Sequence, residues 1–256
     1  MTRKVAHTMK IIIAPAKKMR IDPDSFPVEN TPQYLEQTQQ ILDRMRQLSY
    51  QQAHLLWHCS DKLAQTNYAW LQELDLTHNL TPALLSYSGI QYQYMAPDVF
   101  TAPALDYVRQ NLRILSGFYG ILRPFDGVVP YRLEMQAKLD VATAPNLYTF
   151  WGDRLYQVLA FDKSPVINLA SEEYAKAIRP YLQPGQRLVS IIFASLVDGR
   201  LKTKATLAKM ARGAMVRYLA EHQITTVAAI RAFDHPDYRF DTQRSTPDKL
   251  VFIYHA

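Results

Sequence analysis

The 256-residue chain has one cysteine, Cys59, and only eight glycines. A single thiol closes no internal disulfide and builds no multi-cysteine zinc or iron–sulfur site, which fits a reducing cytoplasm. Scarce glycine beside 16 tyrosines and 10 phenylalanines excludes collagen-like and low-complexity chains. Long apolar runs are also lacking. The first, Ile11 to Ala14, is too short for a secretory signal core, and none approaches the roughly 20 residues of a membrane span. A cytoplasmic protein without membrane association is expected.

Acid is missing from two stretches. Residues 1–20 carry Arg3, Lys4, Lys10, Lys17, Lys18 and Arg20 with no carboxylate, and Lys176 to Arg217 sets nine cations against Asp198 alone, in a chain of net charge +6. Single lysines commonly solvate an outer face. Clustered cations do more, because they release counterions from a phosphate backbone, so polyanions lead the expected partners.

With 48% hydrophobic residues there is material for a large core. Residues 1–8 read as a flexible extension and 9–256 as a single domain. The β-branched run Lys10–Ala14 predicts a buried strand ended by Pro15. Cap-plus-proline pairs start helices at Thr31–Pro32, running to about Leu48, and at Thr81–Pro82. Further helices are expected over 51–58, 61–74 (capped by Ser60), 103–114, 147–160, 171–178, 206–221 and 225–232. Strands are expected over 165–169 and 249–254, with an antiparallel pair, 187–196 and 200–204, around Asp198–Gly199. The region 115–130, punctuated by Gly117, Gly120, Pro124, Gly127 and Pro130, reads as a compact hairpin. No repeat or linker divides the chain. The fold class is therefore α+β: a central mixed sheet assembled from distant segments, surrounding helices, and a helix-hairpin-helix-like element.

That last element is Leu115-Ser116-Gly117-Phe118-Tyr119-Gly120. Two glycines let a backbone approach a phosphate closely, and the amides beyond them can receive an anion; the plainer reading is a tight turn that needs glycine dihedrals. Arg123, Arg132, Lys209 and Arg212 are the cations expected nearest such a groove, Lys209 and Arg212 sharing one helix face. Gly213 beside them marks a close approach. His54 and His58 stand four apart next to Cys59, but no third ligand completes a metal site, and none is assigned. Glu134 beside Arg132, Asp153 beside Trp151, and Asn168, Ser171 and Tyr174 at a strand end have structural readings as caps, ion pairs and core. No nucleophile and base emerge from spacing, so the catalytic set is left open.

Seven ordered blocks, IIIAPAK (Ile11–Lys17), SDKLA (Ser60–Ala64), LSGFYGILRPFD (Leu115–Asp126), PYRLEM (Pro130–Met135), LYTFWGD (Leu147–Asp153), VINLASEEY (Val166–Tyr174) and AKMARG (Ala208–Gly213), resemble the bacterial peroxide stress protein YaaA family. The resemblance implies a cytoplasmic protein that protects cells from hydrogen peroxide, is associated with limiting free iron, and binds double-stranded DNA through a helix-hairpin-helix and a positively charged cleft. At the matching positions it makes Lys17, Lys62, Arg123, Arg132, Lys209 and Arg212 cleft cations and Ser116, Gly117, Tyr119 and Gly120 the hairpin. Two departures stand out: Ser86-Tyr87-Ser88-Gly89-Ile90 replaces an Ala-Phe-Lys-Gly-Asp stretch, and Met210 replaces a second lysine. No cofactor and no protein partner are implied.

The leading expectation is thus a duplex-DNA-binding protein of the peroxide response, without sequence preference. The rival is an enzyme on a phosphate-bearing or nucleobase-like substrate, with Lys17, Lys62, Arg132, Asp153, Lys209 and Arg212 around one pocket. An iron-handling role has the least support, since no cluster of hard ligands is visible. Shape separates the first two: a wide basic channel bordered by 115–123 favours DNA, and an enclosed cavity with an acid touching a lysine favours catalysis.

Overall fold

A computed structural model of the chain describes residues 9–255, so the expected extension over 1–8, with Arg3 and Lys4, lies outside the described residues. Strand β1 is the isoleucine triplet Ile11–Ile13, whose three side chains are wholly buried. An apolar run without alternation has no solvent face and suits only a strand covered on both sides. β1 accordingly lies inside an eight-stranded sheet, parallel to β2 (Leu112–Ser116) on one side and to β4 (Val166–Leu169) on the other. β3 (Gly120–Leu122) folds back antiparallel on β2 at one edge. Beyond β4 come β5 (Leu188–Val197) and β8 (Lys249–Tyr254), both parallel, and then β7 (Tyr238–Thr246), antiparallel at the other edge. β6 (Arg200–Lys202) pairs only with β5.

The chain leaves β1 for β2 on one side, then returns to β4 and β5 on the other. The loops that follow β1 and β4 therefore diverge, opening a crevice at the carboxyl ends of these neighbours, where open α/β sheets bind ligands. Helices α1 (Leu35–Arg46), α2 (Tyr50–Trp57) and α3 (Asp61–Glu73) pack on one another. α4 (Ile90–Met95) and α5 (Ala102–Asn111) both lie against the long α6 (Ala205–Glu221). No helix among the described residues is long and apolar enough to cross a membrane.

Several boundaries differ from the sequence expectation. The helix expected at Thr31 starts at Leu35, because Asn30 is bridged to Asp126 and the Thr31 carbonyl accepts from Arg123. Thr81–Pro82 form a two-residue strand, and the helix expected there is a single turn, Ala83–Ser86, that starts after Pro82, while the Thr81 hydroxyl accepts the Asp22 N–H instead of capping it. The helix over 103–114 ends at Asn111, since Leu112, Ile114 and Leu115 enter the sheet core. The helix over 147–160 is cut in two at Gly152, whose φ of 53° no helix accommodates. Only Glu172–Ala175 is α-helical within 171–178. The Asp198–Gly199 turn has two positive φ angles, 50° and 72°, as its dipeptide predicts.

The helix-hairpin-helix reading needs correction. Gly117 to Tyr119 connect two antiparallel strands, β2 and β3, instead of two helices. Ser116, Gly117, Phe118, Tyr119 and Gly120 are all buried, so none presents an amide to a duplex.

Candidate functional site

The crevice contains a cavity of about 510 Å³, within the range of small-molecule pockets. The loop after β1 supplies Lys17, the helical turn Glu172–Ala175 after β4 and its N-cap supply Ser171, Glu173 and Tyr174, α4 supplies Gln91 and Tyr92, and α6 supplies Lys209 and Arg212. Tyr131 to Glu134 complete the wall. Four of the six cations read as cleft residues meet here: Lys17, Arg132, Lys209 and Arg212. Lys62 sits exposed on α3 outside this lining, and Asp153 accepts from Gln157 at 2.6 Å, also outside it. Arg123 is occupied elsewhere: its Nε and backbone N–H both donate to Asp126 at 2.8 Å, and a terminal nitrogen donates to the Thr31 carbonyl.

The two glycines of the turn act on this wall from behind. A Cβ on Gly117 would lie 2.8 Å from the backbone carbon of Glu134, so only glycine lets the turn pack there. Gly120 has a φ of 75°, and a Cβ on it would strike the Trp151 ring at 2.7 Å; the indole N–H donates to the Gly117 carbonyl at 3.0 Å. Ser116 Oγ accepts the N–H groups of Phe118 and Tyr119 at 3.1 and 2.8 Å and lies 2.6 Å from the Tyr131 hydroxyl, itself 2.8 Å from that of Tyr87. Tyr119 accepts the Val129 N–H at 3.1 Å. The turn is thus a brace that fixes Tyr131 and Glu134.

At the cavity wall Lys17 Nζ, on a largely exposed side chain, lies 2.5 Å from Glu134 Oε1. Glu173 accepts the Gln136 N–H at 3.2 Å, and its burial, assisted by the nearby Glu134 charge, raises its pKa. Burial pushes the Tyr131 phenol up to about 12, and lowers the Arg212 guanidinium without removing its charge. Among the described residues no carboxylate lies within 4 Å of Arg132, Lys209 or Arg212. The cavity thus combines a lysine–carboxylate contact, a second carboxyl that resists ionisation, and three cations without a counter-charge.

The family model described as peroxide stress protein YaaA matches residues 9–244. The chain belongs to that family. A protein of Lactiplantibacillus plantarum is 71% identical over 246 residues, covering 96% of this chain and 99% of the relative. One of Lacticaseibacillus paracasei is 58% identical and one of Pediococcus pentosaceus 56% identical, each over 245 residues, covering 96% of this chain and 99% and 98% of the relatives. All three bear the name UPF0246 protein. Membership of the peroxide stress protein YaaA family ties the chain to oxidative stress.

Within this family context both chemical departures at 86–90 gain a location, since Ser88 and Ile90 line the cavity. A mechanism that needs a lysine and an aspartate at those two positions is not available to this chain. Glu173, Gln91 and Tyr92 were not singled out from the sequence; helix crossings and the strand switch bring them in. Glu173 and Glu134 did carry a signal, each lying inside one of the blocks shared with the family. His54 bonds the Cys59 carbonyl at 2.8 Å, and His58 is the left-handed C-cap of α2. No group of three or more His, Cys, Asp or Glu side chains suited to a metal ion occurs among the described residues.

Proposed function

We propose that this member of the peroxide stress family binds a small phosphate-bearing or nucleobase-like molecule in the switch-point pocket and carries out proton transfer on it. The observation that carries the reading is the Lys17–Glu134 contact of 2.5 Å on the wall of a cavity that Glu173 also lines. Glu134, in contact with Lys17, lies where it can meet a substrate proton; Glu173, whose pKa burial raises, is suited to deliver one. A carboxyl whose proton affinity burial raises, beside a second carboxylate in the same pocket, suits the acid role. Lys17 orients the substrate or shares the proton, and Tyr92, Tyr131 and Tyr174 provide a wall for a ring.

Duplex DNA is a second reading, favoured by the exposed cations Arg200, Lys202, Lys204 and Lys209, none with a carboxylate within 4 Å among the described residues. Arg179, Arg187 and Arg217 of the same stretch are paired with Glu172, Asp248 and Glu221. The two readings separate in one set of titrations, with mononucleotides, nucleosides and unrelated duplexes measured by thermal shift and calorimetry at several salt concentrations. The pocket reading expects a mononucleotide or nucleoside to stabilise the protein, with chemistry on the active member lost in Glu134→Gln. It is overturned if duplexes bind with a steep salt dependence, no small molecule does, and Arg132→Gln leaves duplex affinity unchanged.

A further inference from the structure

We infer that Arg132 and Arg212, with Gln91 between the helices, form a phosphoryl-binding subsite in this pocket, so that its ligand is a phosphate monoester; the inference rests on the pocket reading above.

Five buried side-chain nitrogens among the described residues have no hydrogen-bond partner, and three of them, Arg132 Nε, Arg212 Nε and Gln91 Nε2, belong to residues lining this one cavity. Gln91 is only 7% exposed. Buried donors almost always find acceptors; these three have none among the described residues, and they belong to side chains of which Arg132 and Arg212 bring their guanidinium groups to the cavity lining. The missing acceptor is not a carboxylate of the protein. Eight other arginines, Arg20, Arg44, Arg109, Arg123, Arg179, Arg187, Arg217 and Arg244, each have one within 4 Å. The two acids of the cavity are engaged elsewhere, Glu134 with Lys17 and Glu173 with the Gln136 N–H.

The donors are also held still. Gly213 follows Arg212, and a Cβ there would overlap the Gln91 carbonyl oxygen and lie 2.9 Å from the Met95 nitrogen, so α6 and α4 touch backbone to backbone at this crossing. Arg212 and Gln91 are thereby locked at a constant separation. Arg132 follows Tyr131, whose hydroxyl is held between Ser116 and Tyr87. Two planar guanidinium forks plus an amide match the three oxygens and double charge of a phosphate ester better than the two oxygens of a carboxylate. Lys209, one turn before Arg212 and exposed, adds attraction at the mouth.

The test is calorimetric titration of the full chain with adenosine 5′-monophosphate, adenosine, inorganic phosphate and acetate at one ionic strength, in the natural protein and in Arg132→Gln, Arg212→Gln and Arg212→Lys. The nucleotide should bind at least tenfold more tightly than adenosine, each glutamine variant should lose about tenfold for it and for inorganic phosphate, and adenosine should change less than about twofold. Arg212→Lys keeps the charge without the fork and should recover only part of the loss, which a purely structural arginine would not show. Inorganic phosphate bound as tightly as the nucleotide overturns the ester in favour of the free anion, and acetate bound as tightly overturns phosphate. If adenosine matches the nucleotide and neither arginine matters, the subsite is wrong while the pocket reading stands. If no probe binds, both fall. Thermal unfolding of each variant identifies any loss that comes from misfolding.

Discussion

Arg123, at the two-glycine turn, and Arg132, at the switch-point pocket, are nine residues apart, and their surroundings are opposite. Arg123 is saturated: Asp126, only 1% exposed, accepts from its side chain and its backbone, and the Thr31 carbonyl takes a further bond. Arg132 has no acceptor among the described residues and faces a cavity. The same residue type is a structural clasp in one region and a candidate ligand group in the other. A cation in this protein is informative through the partner it lacks, and its place in a basic run says little.

Substitutions can break this contrast. The largest effect is expected at the pocket wall, in Gly213→Ala, where a methyl group overlaps the Gln91 carbonyl. The variant should lose about 3 kcal/mol in urea unfolding together with anion binding. A neutral result would mean that α6 and α4 part easily and that the pocket donors are not preorganised.

Next comes the arginine pair. Arg123→Gln strands the buried Asp126 carboxylate and should cost about 2 kcal/mol, less than for a fully buried pair because Arg123 is partly exposed, with ligand binding intact. Arg132→Gln should do the reverse, changing stability by less than about 0.5 kcal/mol and weakening anion binding. If the two variants behave alike in both assays, the contrast between the regions is wrong.

Acid titration sharpens the description of the turn. Burial pushes the Asp126 carboxyl up to about 6, above its ordinary 3.8, in spite of Arg123. The folded state then holds this proton more tightly than the unfolded chain does, so the contribution is fully present below the ordinary value and is lost as pH rises through about 6. Relative to Asp126→Asn, the natural protein should lose about 2 kcal/mol between pH 4 and pH 7. A difference flat across that interval would show that Asp126 ionises as freely as a surface acid. The smallest effect belongs to Lys62→Glu, exposed on α3: stability within about 0.5 kcal/mol and unaltered anion binding. Loss of duplex affinity in this variant alone would move DNA contact to the outer face of α3 and away from the pocket.

What was legible followed from local patterning. β1, β4 and β8 are short apolar runs, β5 and β6 flank a turn dipeptide, and α6 has helical spacing, so each carries its own signal. β7 does not. It is an edge strand with Arg239, Asp241 and Arg244 on it, and an edge with one open side can be as polar as a loop. β2 merged with the preceding helix because apolar residues continue across the junction at Leu112. Of the two readings of the glycines at 117 and 120, an approach to phosphate or a tight turn, the structure has the turn, with close approaches to Glu134 and Trp151, since a glycine pattern states that something comes close and leaves open what does.

From the linear order of residues alone came the buried strand at Ile11–Ile13, the excess of cations over acids, Lys17, Lys62, Arg123, Arg132, Lys209 and Arg212 as cleft candidates, and the family. Which of those cations keep a free charge was decided only in three dimensions. Ion pairing acts across distances of a few ångströms between residues as far apart in sequence as Arg187 and Asp248, and the cavity forms where the loops after the neighbouring strands β1 and β4 part while Gly213 lets two helices touch.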